Sequence, residues 1–330
     1  MIPPRPTSSP PAVSIVIVSM DNPKDLFPCL DGIRAQTYSA TYEIWVVAYL
    51  FAPENLAKLK TAYPEVKVVE SNEIRGFSEN NNLALRQANG EFCFILNDDT
   101  AMEMPVVDLL VESFRKEPRA AIFSPKILNP DGSVQACGRA PWTLWNSLLN
   151  GFRIRNANRT PSPFINQPGI FQTYNVSGAA FMIRTSVLKE LGYFDERYFF
   201  CPEDIALSTL ANERGFACFV NADVALVHRA STTLRRTAEA TFPALARGSV
   251  LFQGRHSRVQ GLFFSACLWL LAFLKYAYAH RKPPAERTIW KNAWRNTMKA
   301  AFSRQSPKDI FIRHYGRIQA EPESNRTPHG

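Results

Sequence analysis

Phe92-Cys93-Phe94-Ile95-Leu96-Asn97-Asp98-Asp99-Thr100 is the stretch on which the fold turns. A run of apolar, β-prone residues gives way at once to an amide and two carboxylates, so the acids are expected at the carboxyl end of a buried strand. That edge is where open α/β sheets bind ligands. Neighbouring carboxylates repel unless something positive lies between them, and a hard divalent cation shared with a diphosphate relieves the repulsion. A solvated turn is the plainer explanation, since Asn and Asp favour turns.

Upstream, Val13-Ser14-Ile15-Val16-Ile17-Val18 is another apolar run of strand length, followed by the turn-prone Asp21-Asn22-Pro23 and a helix-compatible stretch from Lys24 to Gln36. Runs from Tyr42 to Ala48 and from Val66 to Glu70 are each followed by a helical stretch. Strands alternating with helices predict a parallel sheet with helices on its faces, and residues 13–100 hold roughly three βα units. Downstream, the pattern predicts a helix over 105–115 and a strand over 120–123. Residues 129–173, rich in Asn, Gly, Pro and aromatics, read as a long irregular loop that folds over a ligand. A strand over 175–183 and a helix over 185–191 follow. Glu203-Asp204 opens a further helix to about Glu213, stopped by Gly215. Acidic residues favour the first turn of any helix, which is a purely structural explanation of that pair. His228 follows the apolar strand Val224-Ala225-Leu226-Val227. No internal repeat is visible, and no dinucleotide, P-loop or zinc-protease motif occurs.

The chain has 330 residues, 46% hydrophobic and 20% charged, enough for one catalytic domain with an appendage. Its formal charge of +9 belongs to the tail: residues 229–330 carry 18 Lys+Arg against 5 Asp+Glu, leaving 20 against 24 elsewhere. Six cysteines without a C-x-x-C pair suggest a reducing, cytosolic compartment. The Pro-rich segment 1–12 reads as a disordered lead-in with no signal-peptide core. Residues 259–279 are nearly all apolar, with Lys275 inside and Arg255, Arg258, Arg281 and Lys282 around them. Positive charge on both sides favours a helix lying on an anionic membrane surface over one that spans it, with burial against the catalytic domain as the other alternative. The apolar block argues against nucleic acid as the partner of the basic tail.

Several stations now stand in order: Val13 to Val18; Arg75-Gly76-Phe77 with Asn80-Asn81-Asn82; Asn89-Gly90-Glu91 leading into Asn97-Asp98-Asp99-Thr100; Ser177-Gly178-Ala179; Gly192-Tyr193-Phe194-Asp195-Glu196; Glu203-Asp204; and His228. Their order and spacing resemble the inverting family 2 glycosyltransferases, within them the rhamnosyltransferase-like branch, from about Val13 to Thr233. The resemblance implies an α/β GT-A fold with a Rossmann-like, mostly parallel central sheet flanked by helices, here with a basic, partly apolar helical C-terminal extension. It implies a glycosyltransferase domain over 13–240, split into a nucleotide-sugar half (13–100) and an acceptor half (101–240), with 241–330 as the membrane-associating extension.

A sugar nucleotide donor leaves as a charged diphosphate, which Mg²⁺ or Mn²⁺ neutralises as a Lewis acid. By resemblance Asp99 is the metal ligand, with Asp98 and His228 beside it; a His at a strand end is equally well explained as a hydrogen-bonded structural residue. Ser19, Tyr49, Gly76, Phe77, Asn82, Asn97, Asp98, Gly178 and Ala179 would face the donor, although Gly76, Phe77, Gly178 and Ala179 also suit tight packing. The acceptor hydroxyl must lose a proton as it attacks the anomeric carbon, and Asp204 is the implied general base, with Glu203 binding the acceptor. Two departures matter. The acid with which the family usually ends its second strand is replaced at Ala48-Tyr49, leaving base recognition to Tyr49 or to another residue. The helix after Asp204 lacks the Arg usual about two turns in. The expected activity is transfer of a sugar, rhamnose from dTDP-rhamnose being the leading case, onto a lipid-linked or cell-surface glycan at the inner face of the cell membrane. A non-catalytic sugar-nucleotide or glycan binder and a nucleotidyltransferase are the rivals.

Overall fold

The computed structural model describes residues 10–152, 162–229 and 237–320. The chain divides into two compact units, one built from 1–141, 161–194 and 207–230, the other from 142–160, 195–206 and 231–330.

The first unit is organised around one sheet. Its strands are β1 (Val13–Met20), β2 (Tyr42–Tyr49), β3 (Lys67–Ser71), β4 (Phe92–Asn97), β5 (Thr100–Ala101), β6 (Ala120–Leu128), β7 (Val134–Ala136), β8 (Ile170–Thr173), β9 (Ala180–Arg184) and β10 (Ala217–His228). The order is β3-β2-β1-β4-β9-β6-β10-β5, with β7 on β6 and β8 on β10. Strands β3, β2, β1 and β4 run parallel, and β6 is parallel to β10. The short or reversed strands β5, β7, β8 and β9 pair antiparallel.

Helices cover both faces. Alternate residues of β1, Val13, Ile15 and Ile17, pack with Leu30 and Ile33 of α1 (Pro23–Gln36) and Leu110 of α4 (Val106–Lys116). The intervening Val16, with Cys93 and Ile95 of β4, packs with Leu85 of α3 (Phe77–Leu85) and Leu188 of α6 (Thr185–Leu191). Burial on both faces is why these strands read as unbroken apolar runs. Each such large side chain contributes roughly 1.5–3 kcal/mol when fully buried. A further helix, α2 (Pro53–Ala62), adds Leu59 to the first face.

The structure departs from the sequence pattern in three places. The expected loop over 129–173 contains β7, α5 (Leu144–Gly151) and β8. The strand expected from 175 begins at Ala180, because the preceding backbone serves other partners: Asn175 bridges to Arg139, and the Ala179 carbonyl accepts from Asn97 N at 2.9 Å. Strand β10 is much longer than its apolar segment alone indicates, as it pairs with three other strands.

The second unit holds α5, the segment leading into α7 (Glu203–Glu213), and four helices: α8 (Ala238–Gln253), α9 (Arg258–Tyr278), α10 (Pro284–Ala301) and α11 (Pro307–Ala320). Phe242 of α8 stacks on Trp294 of α10, with centroids 5.2 Å apart. A Cβ at Gly248 would come within 2.5 Å of the Cys201 carbonyl, so this glycine lets α8 press against the chain just before Glu203. One side of α9 packs inward through Gly261, Phe264, Ser265 and Ala272, while Val259, Leu262, Phe263, Leu270, Phe273 and Leu274 are exposed. All six cysteines are free.

Gly90, at the entry to β4, is a point of close approach in the first unit: a Cβ there would lie 2.5 Å from Ser14 N and 2.8 Å from Val13 C. Gly90→Ala is therefore expected to push β1 and β4 apart and cost about 1–3 kcal/mol, the usual range for overpacking. Urea unfolding should show a lower midpoint at unchanged slope.

Candidate active site

Strand β4 ends at Asn97, level with Val18 of β1, and Ser19 is level with Ala48 of β2. The point where β1 has β2 on one side and β4 on the other is the crevice that open α/β sheets use for ligands. The chain turns sharply after β4 because the Thr100 hydroxyl donates to the Asn97 carbonyl at 2.8 Å. Thr100 and Ala101 then pair antiparallel with His228 and Val227, and Arg229 N donates to the Asp99 carbonyl at 3.0 Å. Residues 128 positions apart are thereby fixed side by side.

His228 Nε2 stands 3.0 Å from Asp99 Oδ1 and 3.2 Å from Asn97 Nδ2, while its Nδ1 is 2.6 Å from Gln135 Oε1. Both partners are largely enclosed, the side chains being 14% and 5% exposed. Burial pushes the Asp98 carboxyl up to about 7; the nearby Ser19 hydroxyl pulls it down, and the charges of Asp99 and Asp25 raise it further. Asp25, from the first turn of α1, is itself paired with Arg229 at 3.2 Å. Cys29 lies under the turn, 3.4 Å from Thr100 Oγ1, and burial lifts its thiol to about 12, which makes it packing and not a nucleophile.

The residues at this edge suit a divalent cation. Adjacent ligands of an octahedral ion with bonds of about 2.1 Å stand roughly 3.0 Å apart, the spacing of Nε2 and Asp99 Oδ1. Among the described residues no group of three or more His, Cys, Asp or Glu converges on one point. A pair of protein ligands is nevertheless the usual complement where phosphate oxygens and water supply the rest.

Ser19, Asn97, Asp98, Asp99 and His228 thus come together, and Gly178-Ala179 joins them through the Asn97–Ala179 backbone bond. The remaining residues singled out from the sequence have partners of their own. Tyr49 is buried, and its hydroxyl accepts from Arg75 N at 3.3 Å, so it holds the turn that carries Gly76. Phe77 packs edge-on against Phe194. Asn82 has no exposed surface: its Nδ2 donates to the Phe194 carbonyl at 2.9 Å and its Oδ1 accepts from Phe194 N at 3.1 Å, tying α3 to the loop after α6. Glu203 and Asp204, both buried, form the first turn of α7 in the second unit, where Asp204 Oδ1 accepts from Ile205 N at 2.7 Å. Sequence reasoning missed Asp25, Gln135 and Arg229. Arg229 was findable from its place directly after His228; nothing near Asp25 or Gln135 distinguishes them from ordinary surface polar residues.

The raised Asp98 carboxyl has a thermodynamic consequence. Its folded-state value of about 7 lies above the unfolded 3.8, so the folded state binds the extra proton and the group costs stability as pH rises from about 4 to 7. In metal-free protein, Asp98→Asn should be more stable than the parent by roughly 2–4 kcal/mol at pH 8, the advantage shrinking toward zero near pH 4. Denaturant titrations of both proteins in chelator across that range measure the difference.

Residues 10–249 match the family described as Glycosyltransferase like family 2. The O-antigen biosynthesis protein RfbC of Myxococcus xanthus is 28% identical over 241 residues, which is 71% of this chain and 18% of that protein. The N-acetylglucosaminyl-diphospho-decaprenol L-rhamnosyltransferase of Mycobacterium tuberculosis is 28% identical over 151 residues, 44% of this chain and 49% of its own length. The chain therefore spans less than half of each of these relatives. Among solved structures, the mannosyltransferase PcManGT from Pyrobaculum calidifontis, in complex with GDP-Man and Mn²⁺, aligns with a TM-score of 0.52 at 17% identity, covering 95% of this chain and 88% of that one. GalNAc-T7 with UDP, GalNAc and Mn²⁺ aligns at 0.57 and 14% identity, covering 96% of this chain and 59% of that one. These likenesses identify the fold as GT-A.

Proposed function

This chain belongs to glycosyltransferase family 2, and from that membership we propose that it is an inverting, metal-dependent transferase acting on a nucleoside-diphosphate sugar. The observation that carries the reading is the buried Asp99–His228 pair beside Asp98 at the carboxyl edge of the sheet. Mg²⁺ or Mn²⁺ held by Asp99 and His228 would neutralise the charge that grows on the departing diphosphate. Asp98, next in the chain to Asp99 and near Ser19, would be favoured in its ionised form by the positive charge of the ion. Gly178-Ala179, small and bonded to Asn97 through the Ala179 carbonyl, is assigned to the donor sugar. The donor base is read by groups other than the Tyr49 ring, which is buried under the Arg75 turn.

Asp204 is the proposed base. A carboxylate can take the proton of an acceptor hydroxyl whose own pKa is far above 7, and Asp204 stands in the first turn of α7. Glu203 beside it is assigned to the acceptor. The similarity to an L-rhamnosyltransferase makes dTDP-rhamnose the leading donor, and a polyprenyl-diphosphate-linked sugar or a cell-surface glycan the leading acceptor. A binding protein that kept the fold is the second reading, favoured by Ala48 in place of an acid at the end of β2. Nucleoside diphosphate release separates them, since a binder releases none. With dTDP-rhamnose, Mn²⁺ and a diphospholipid-linked N-acetylglucosamine, Asp204→Asn should lower release by about 10²–10⁴-fold while donor affinity stays near that of the parent. A folded variant with parental turnover would remove Asp204 from the reaction.

We place the enzyme on the cytoplasmic membrane surface. Helix α9 is long and apolar enough to cross a bilayer, with 22% of its most apolar window buried. Its packed side and its exposed apolar side differ, which suits a helix lying in the headgroup region. Arg255, Arg258, Arg281 and Lys282 at its two ends would each add about 1 kcal/mol on an anionic leaflet. Full-length protein should float with vesicles containing phosphatidylglycerol, and high salt should release part of it. Leu262→Glu combined with Phe273→Glu should abolish flotation; protein that resists both salt and alkaline carbonate would instead be a span.

A further inference from the structure

We infer that Gln135 is a positioning residue, which holds the His228 imidazole with its proton on Nδ1 and so presents the Nε2 lone pair beside Asp99. This rests on the metal reading above. Gln135 lies on β7, which the β6 pairing brings alongside the end of β10. Its Oε1 accepts from His228 Nδ1 at 2.6 Å.

An amide can be turned over, so what orients it decides the tautomer. Here the orientation is set by a line of hydrogen bonds that begins at an acceptor. The Asp131 carboxylate, held below the ordinary carboxylate range by its bonds from Ser133, accepts from the Ser133 hydroxyl at 2.6 Å and from Ser133 N at 2.9 Å. With its hydrogen thus committed, Ser133 Oγ accepts from Asn129 Nδ2 at 2.9 Å. Asn129 Oδ1 then accepts from Gln135 Nε2 at 2.9 Å. Gln135 is left with its oxygen toward the ring, and an oxygen can only accept. When neutral, His228 therefore carries its hydrogen on Nδ1, and Nε2 faces Asn97 Nδ2, a donor, and Asp99 Oδ1. The opposite tautomer would direct an N–H at Asp99 and close the gap between the two ligands. Partners of this kind typically change metal affinity 10–100-fold.

The test uses the full-length protein and two readouts. In metal-free protein above pH 8, long-range ¹H–¹⁵N correlation spectra should show His228 as the Nδ1–H tautomer. Gln135→Met, which keeps the volume and removes the acceptor, should shift it toward Nε2–H. Gln135→Glu, which restores an acceptor, should return it to Nδ1–H. Titration with Mn²⁺ alone, read by the electron paramagnetic resonance of the free ion, should show about 10-fold or weaker binding for Gln135→Met and near-parental binding for Gln135→Glu. His228→Ala is the control that keeps the two readings apart. If it leaves Mn²⁺ affinity unchanged, the metal assignment of His228 fails, whatever the tautomer. If it weakens Mn²⁺ binding while Gln135→Met changes neither tautomer nor affinity in a folded protein, the positioning role of Gln135 fails and the metal assignment stands.

Discussion

A ladder of two residue pairs, Thr100 with His228 and Ala101 with Val227, sets the geometry at the sheet edge. A pairing this short is marginal in isolation. It persists because each side continues a buried strand: β4 inserts between β1 and β9, and β10 between β6 and β5. Backbone hydrogen bonds then decide where Asp99 and His228 stand, and the two side chains meet without any electrostatic attraction having to draw them together. The same turn buries Cys29 and Thr100 beneath the acids. The sheet edge is thereby rigid where a ligand's charge would be met, which is the arrangement electrostatic stabilisation requires.

The parallel core was legible in the sequence because its strands, covered on both faces, are continuous apolar runs long enough to stand out. Strands β5 and β7 were not. A segment of two or three residues has no period, and its strand character comes from a partner far away in the chain. Gln135 was hidden for the same reason: it lies in a stretch that reads as irregular, and its meaning arises only when β7 is laid beside β6 and β10. Asp98, Asp99 and His228 were recognisable by their places after apolar runs, whereas Asn82, drawn from the same pattern of residues, turns out to serve the Phe194 backbone. Motif membership does not reveal that both ends of the Asn82 amide are taken by one backbone residue; only the fold, which brings α3 to the loop after α6, shows it.

The second unit shows a different division between pattern and packing. Composition alone marked α9 as apolar, and length alone allowed it to span a bilayer. What composition does not contain is the inequality of its two sides. Gly261 meets Gly254 closely enough that a Cβ on Gly261 would lie 3.0 Å from the neighbouring Cα, so one side is committed to packing. Phe242 stacking on Trp294 joins α8 to α10 in the same unit. The exposed apolar residues of α9 occupy what is left over.

The acids at the end of β4 bear on the plainer explanation that they form a solvated turn. A turn needs Asn or Asp for their short polar side chains, and exposure leaves such groups near their ordinary ionisation. Here Asp98 is raised to about 7, chiefly by burial and further by Asp99 and Asp25, a penalty on the order of 4 kcal/mol when the group is charged. That is a substantial part of the 5–15 kcal/mol that typically separates folded from unfolded protein. An amide at the same position would make the turn and avoid the penalty. Carboxylates crowded where they repel one another are stabilised by a positive charge placed among them, and Arg229, the cation paired nearby, is directed to Asp25. Asp98 and Asp99 follow directly on β4 at the carboxyl edge of the sheet, where a divalent ion with its diphosphate would set a positive charge against the Asp98 carboxyl that burial penalises.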